Sequence, residues 1–151
     1  MRTLPTLLAL SFTLAACAKD SDSGASLDGV PAVDLVGDWN GELTGRLSTG
    51  GDDPACTGNV FATVDDAGTV SGTGTCQGVA VEEGAVFIVS FTGTASDGAV
   101  GVDLVFDGDA WADTTLSGSA EANAITLSGA STYTPDNREP VDATLELLLE
   151  R

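Results

Sequence analysis

The chain has no histidine, and 3 cysteines are its whole supply of thiols. Without an imidazole, neither Ser-His-Asp nor Cys-His catalysis can be assembled, and the usual zinc sites lose their commonest ligand. Basic side chains are also scarce. Lys and Arg number 5 against 23 Asp and Glu, giving a formal net charge of −18. Such a surface repels phosphate backbones, so nucleic acid is not an expected partner. Aromatic residues make up 5% of the chain, too few to build stacking platforms for sugars or bases. The N-terminal apolar run Leu4 to Ala16 is short of the roughly 20 residues a bilayer-spanning helix needs. These absences leave no constellation for catalysis. The expectation is no enzyme, no cofactor and no metal.

What is present begins with that N-terminal run. Met1-Arg2-Thr3 carries one positive charge, and Leu4 to Ala16 follows without another, rich in Leu and Ala. The run ends in Leu14-Ala15-Ala16-Cys17, which resembles the lipobox of bacterial lipoprotein signal peptides. The resemblance implies a signal peptide over 1–16, cleavage before Cys17, and a lipid on its sulfur that makes the membrane a partner. One acyl chain holds only marginally, because each buried CH₂ contributes about 0.8 kcal/mol, and a second or third makes the anchor firm. It further implies the bacterial cell envelope, outside the cytoplasm. In enterobacterial lipoproteins an Asp after the cysteine retains the protein in the inner membrane. Ala18 stands there instead, which points to the outer membrane. Residues 17–33, polar and unpatterned from Lys19 to Ser26, read as a flexible tether, and 34–151 as the folded domain.

From Val36 onward apolar residues recur at every second position between Gly/Asp turns, the signature of antiparallel strands. The first strand is expected over about 36–47, with Trp39, Leu43 and Leu47 on one face. Others follow over 59–64, 69–81, 85–94, from about 99 to Phe106, 110–120 and 125–133. In the third, the apolar face falls on even numbers to Cys76 and on odd ones at Val79 and Val81. That switch means either a β-bulge at Gln77-Gly78 or a turn followed by a short extra strand. The segment 140–149 reads as a strand or a helix, and the strand is preferred because its outward positions are mostly polar. The fold class is therefore all-β: an up-and-down meander of about eight strands closed into a small barrel, with a two-sheet sandwich as the alternative. Closure is favoured because it removes exposed strand edges.

Cys56 and Cys76 lie about equally far from the turn Asp65-Asp66-Ala67-Gly68. Residues equidistant from a hairpin turn face one another, so these two are expected opposite each other within a residue, close enough for a disulfide. An oxidising compartment would supply the chemistry. The pairing leaves Cys17 as the odd cysteine, free to carry lipid.

Gly37-x-Trp39 at the start of the first strand resembles the Gly-x-Trp of the calycin barrels, the lipocalins and avidins. In those folds the Trp plugs the closed end, so the resemblance implies a small barrel closed below Trp39. The biotin chemistry of avidins does not carry over. Where avidins follow the Trp with a Thr-Asn-Asp-Leu-Gly-Ser type of run, this chain has Asn40-Gly41-Glu42-Leu43-Thr44-Gly45, with glycines in place of the binding Asn and Ser. No biotin binding is expected.

Three other features invite a functional reading. Asp107-Gly108-Asp109 with Asp113 groups carboxylates but lacks the spacing of a calcium loop, and reads as turn acids. Glu82-Glu83 are neighbours whose side chains diverge. Val86 and Ile88 make the outward face of the fourth strand apolar, which marks them as a partner surface unless something covers them. Two functions fit: a binding or accessory lipoprotein with a small apolar ligand in the barrel, or a filled barrel used as a structural or interaction module with a protein partner in envelope assembly.

Overall fold

The computed structural model describes residues 33–136 and 138–151. The expected leader 1–16, Cys17 and the tether short of Val33 lie outside the described residues. Eight strands follow one another: β1 Gly37–Leu47, β2 Cys56–Val64, β3 Thr69–Gly78, β4 Val86–Ser96, β5 Ala99–Phe106, β6 Thr114–Glu121, β7 Ala124–Tyr133 and β8 Val141–Glu150. Each pairs antiparallel with the next, and β8 returns to β1, so the meander closes into a barrel and not a sandwich. The closing register runs from Asn40 opposite Glu150 to Leu47 opposite Ala143.

Two-residue alternation drives this closure. On β8, Ala143, Leu145, Leu147 and Leu149 are buried while Asp142, Thr144, Glu146 and Glu150 face out, which settles this segment as a strand. Val100, Val102, Leu104 and Phe106 do the same on β5, and Val60, Ala62 and Val64 on β2. A one-residue slip would turn any of these sets to solvent, so burial fixes the register.

The two ends of the barrel differ. At one, short turns join β2 to β3, β4 to β5 and β6 to β7. Asp65 organises the first: its carboxylate accepts from the backbone N–H of Ala67 (2.9 Å) and Thr69 (2.7 Å). These bonds, that from Thr69 foremost, hold its pKa below the ordinary carboxylate value. Asp97-Gly98 forms the second with positive φ at both residues (52° and 78°), the geometry that two-residue hairpins favour. At the other end lie the longer loops 48–55, 79–85, 107–113 and 134–140.

Three expectations about strand limits are corrected. β2 begins at Cys56 and not at 59. β3 stops at Gly78, and neither a bulge nor an extra strand follows. The chain turns over the barrel end instead. Val79 is exposed, Val81 is buried, and Gly78 N–H is bonded to the Ala85 carbonyl at 2.8 Å. The parity switch came from Val81 dropping onto the core as a cap. β6 begins at Thr114 and not near 110, because Trp111 leaves the ladder and makes a lone bridge with Tyr133.

Candidate functional site

Each end of the barrel is stopped by a tryptophan. At the short-turn end, Trp39 lies 1% exposed, and its indole N–H donates to the Leu35 carbonyl at 2.9 Å. The Arg151 guanidinium sits 4.6 Å from the centroid of the Trp39 ring. It donates to the carbonyls of Val36 (3.1 Å), Ala122 (3.0 Å) and Asp34. Cation and ring attract through the ring quadrupole, and the planar fork reaches three backbone acceptors at once. The first and last described segments are tied together here.

At the long-loop end, Trp111 comes down from the loop before β6. Its ring stacks on Phe106 (centroids 5.6 Å apart, 20° between planes), tilts against Tyr133 (5.1 Å) and meets Phe87 edge-on (6.3 Å). Gly45 makes the room: a Cβ there would stand 2.8 Å from the tip of the Trp111 ring and 3.1 Å from Cys56 Sγ. The Trp111 indole N–H is buried with no acceptor among the described residues. Aromatic packing holds it in spite of that cost, about 1–3 kcal/mol for a buried unpaired donor.

The Cys56–Cys76 disulfide is formed, with Cα atoms 5.4 Å apart and both residues fully buried. The two are not directly opposed. Cys56 stands opposite Gly78, so the bond runs diagonally, offset by two residues. Both cysteines are inward-facing, which a two-residue offset preserves and a one-residue offset would not. Gly58, without a Cβ, lets the strands close in: a Cβ there would lie 1.9 Å from the Thr75 carbonyl oxygen.

Tyr133 O–H donates to the Glu82 carboxylate at 2.9 Å. Burial of the phenol, then this bond and the charge of Glu82, push its pKa up to about 12. The phenol is thus a protonated strut and not a base. Glu82 holds it from a backbone with φ of 41°, uncommon for a residue with a side chain. Outside this strut a crevice of about 470 Å³ opens, lined by Leu47, Val81, Glu82, Tyr133, Arg138 and Val141 among others. Asp113 accepts from the Phe106 N–H at 3.3 Å and so fastens its loop. Among the described residues no His, Cys, Asp or Glu group of three or more could hold a metal ion.

The outer wall is uneven. Val86 and Ile88 do face outward, 58% and 55% exposed, and Phe61 (62%) and Val105 (44%) join them. The last two were readable from strand parity and were missed because their strands have an apolar inner face that draws attention first. No outward position of β2, β3 or β4 is charged: Thr57, Asn59, Phe61 and Thr63; Thr69, Ser71, Thr73, Thr75 and Gln77; Val86, Ile88, Ser90, Thr92, Thr94 and Ser96. The adjoining wall on the β2 side, β1 and β8, carries Asp38, Glu42, Arg46, Asp142, Glu146 and Glu150. There Arg46 and Glu146 stand 3.8 Å apart as an exposed ion pair.

No protein-family model matches the chain, and no curated protein resembles it significantly.

Proposed function

We propose that this chain is a lipid-anchored, extracytoplasmic envelope protein whose barrel works through its outer surface as a non-catalytic interaction module. The observation that carries the second half is Trp111. With Phe87, Phe106 and Tyr133 it fills the barrel end at which a ligand would enter. Below that layer, Leu43, Val60, Leu104, Leu127, Leu145 and Leu147 occupy the axis, all 0–1% exposed. Side chains with almost no accessible surface on the axis leave no guest-sized void beside them. The lipobox-like Leu14-Ala15-Ala16-Cys17 supports the anchor, and an internal disulfide suits an oxidising compartment. Trp39 at the end of a closed eight-stranded barrel supports the calycin-like reading.

The test is the intact mass of protein extracted from its own membranes. Acylated Cys17 with cleavage after Ala16 is expected, and Cys17→Ala should release the protein to the soluble fraction. A native protein still starting at Met1, or unmodified at Cys17, would remove the anchor from the proposal. An apolar fluorophore should gain no emission with the native barrel. Stoichiometric uptake would reverse the filled-barrel reading. A second reading rests on the crevice beside Tyr133. At about 470 Å³, with Val81 and Val141 beside Arg138 and Glu82, it is of a size to take a small apolar ligand with one polar end. Titration of such ligands against Tyr133→Phe separates it from the first.

A further inference from the structure

We infer that the outer wall of β2 to β5, uncharged on β2 to β4 and bearing Asp103 alone on β5, docks a second copy of this chain. This rests on the reading that the barrel works through its outer surface. Across the wall, Phe61, Thr73, Ser90 and Val105 form one continuous row of register partners. In the neighbouring rows Thr75 faces Ile88 and Gln77 faces Val86. Phe61 stands up as a ridge beside a recess of about 730 Å³ whose floor includes Ser71, Thr73, Ser90 and Thr92. A second hollow of about 290 Å³ lies between Thr73, Ile88, Ser90 and Val105. Ridge and recess lie on one face, so two copies related by a two-fold axis can each seat Phe61 in the other's recess. An isologous contact needs this self-complementarity.

Charge selects the occupant. The chain's net charge is −18, and carboxylates line the β1–β8 wall and many of the turns. A basic partner is drawn to those surfaces and finds no counter-charge on this one. Two copies meeting through β2–β5 bring in three carboxylates: Asp103, the lone acidic outward residue of β5, and, at the rims of the two hollows, Asp38 and Asp107. Their remaining charges stay in solvent, where they are screened beyond about 8 Å. At roughly 3.3 Å per residue and 4.8 Å between strands, four strands of this length present a face of about 20 by 30 Å. Four of eight strands wrap about half of a closed barrel, so two copies bury less than the roughly 1,200 Å² of two flat faces. A contact of that size makes a dimer that is weak when free and gains from confinement to a membrane.

The experiment uses the full-length chain in its own membrane. Thr73→Cys, at the centre of the wall, should cross-link to a species of twice the protomer mass, and Ser128→Cys, outward on β7, should not. Adding Ile88→Asp or Phe61→Asp to Thr73→Cys should lower the yield at least tenfold. Unchanged near-ultraviolet dichroism of the purified variants would show that the barrel is intact. No adduct from Thr73→Cys, equal dimer from both cysteines, a cross-link to a different protein, or a yield indifferent to both Asp variants would each overturn the proposal. Membrane fractionation and Cys17 mass are read on the same sample. Protein that is not anchored fails the parent reading, whereas anchored protein without the dimer fails this one alone.

Discussion

The two tryptophans do the same job under opposite terms. Trp39 is rooted in β1, its N–H is satisfied, and Arg151 covers its ring. Trp111 arrives from a loop, makes one bridge to Tyr133 and has no acceptor for its N–H among the described residues. Both are almost fully buried. A plug built into the ladder can satisfy its polar atom from adjacent backbone. One brought in from outside is held by its ring contacts and by the short bridge to Tyr133, with nothing for its indole N–H among the described residues. The short-turn end is thus a fixed closure, and the long-loop end is closed by a side chain that packs well and bonds poorly.

The largest expected effect tests that contrast directly. Trp39→Ala should cost about 4–5 kcal/mol, since it opens a cavity and strips Leu35 and Arg151 of a partner. Trp111→Ala should cost about 1–2 kcal/mol less, because it also removes an unpaired donor. Equal losses in paired denaturant titrations would erase the distinction. Trp111→Ala should further admit the apolar fluorophore that the native barrel is expected to exclude.

Reducing the disulfide comes next. The cysteines are 20 residues apart, and on the chain-entropy model their link is worth about 3 kcal/mol, read as the drop in stability on adding reductant to denaturant melts. The bond lies within the long-loop half, so Trp111 fluorescence should respond before that of Trp39. A smaller effect is alkaline. The folded-state pKa of Tyr133 is raised to about 12 from 10.0, so the folded protein holds this proton more tightly than the unfolded chain. The resulting stability is full below pH 10 and is lost as pH rises toward 12, by up to about 2 kcal/mol. Tyr133→Phe should abolish that slope. Asp65, with its pKa lowered, gives the opposite sign at the short-turn end: its contribution is present above the ordinary carboxylate range and fades as pH falls through it. The least is Arg151→Lys. It keeps the charge but loses the fork, and should cost about 1 kcal/mol by thermal melting, confined to the Trp39 end.

Much of this was legible in the chain. Alternation in Val100–Phe106 and Ala143–Leu149, broken only at Val105 and Leu148, marks strands with one buried face. Closure into a barrel is preferred to a sandwich from the sequence, and is decided by the pairing of β8 with β1. The cysteine link could be read from distance to a turn, although the offset of two could not, since it depends on how closely Gly58 lets the strands approach. The closures themselves were hidden. Val81 and Trp111 sit in loops, where side-chain direction follows from local turns and not from a period. Arg151 meets Trp39 only after the meander has gone full circle, so no local pattern joins them.

The first strand is flanked on both sides, by β2 and by β8. Consider the barrel as something that bears a load. Tension drawn through Val33 meets the clasp of Arg151 on Asp34 and Val36, then passes along the axis of β1. The ladder bonds on either side of β1 lie across that pull. They are strained together in shear and do not open one at a time as they would at a free edge. Held by its N-terminus, the barrel is gripped by a strand that is laddered on both sides.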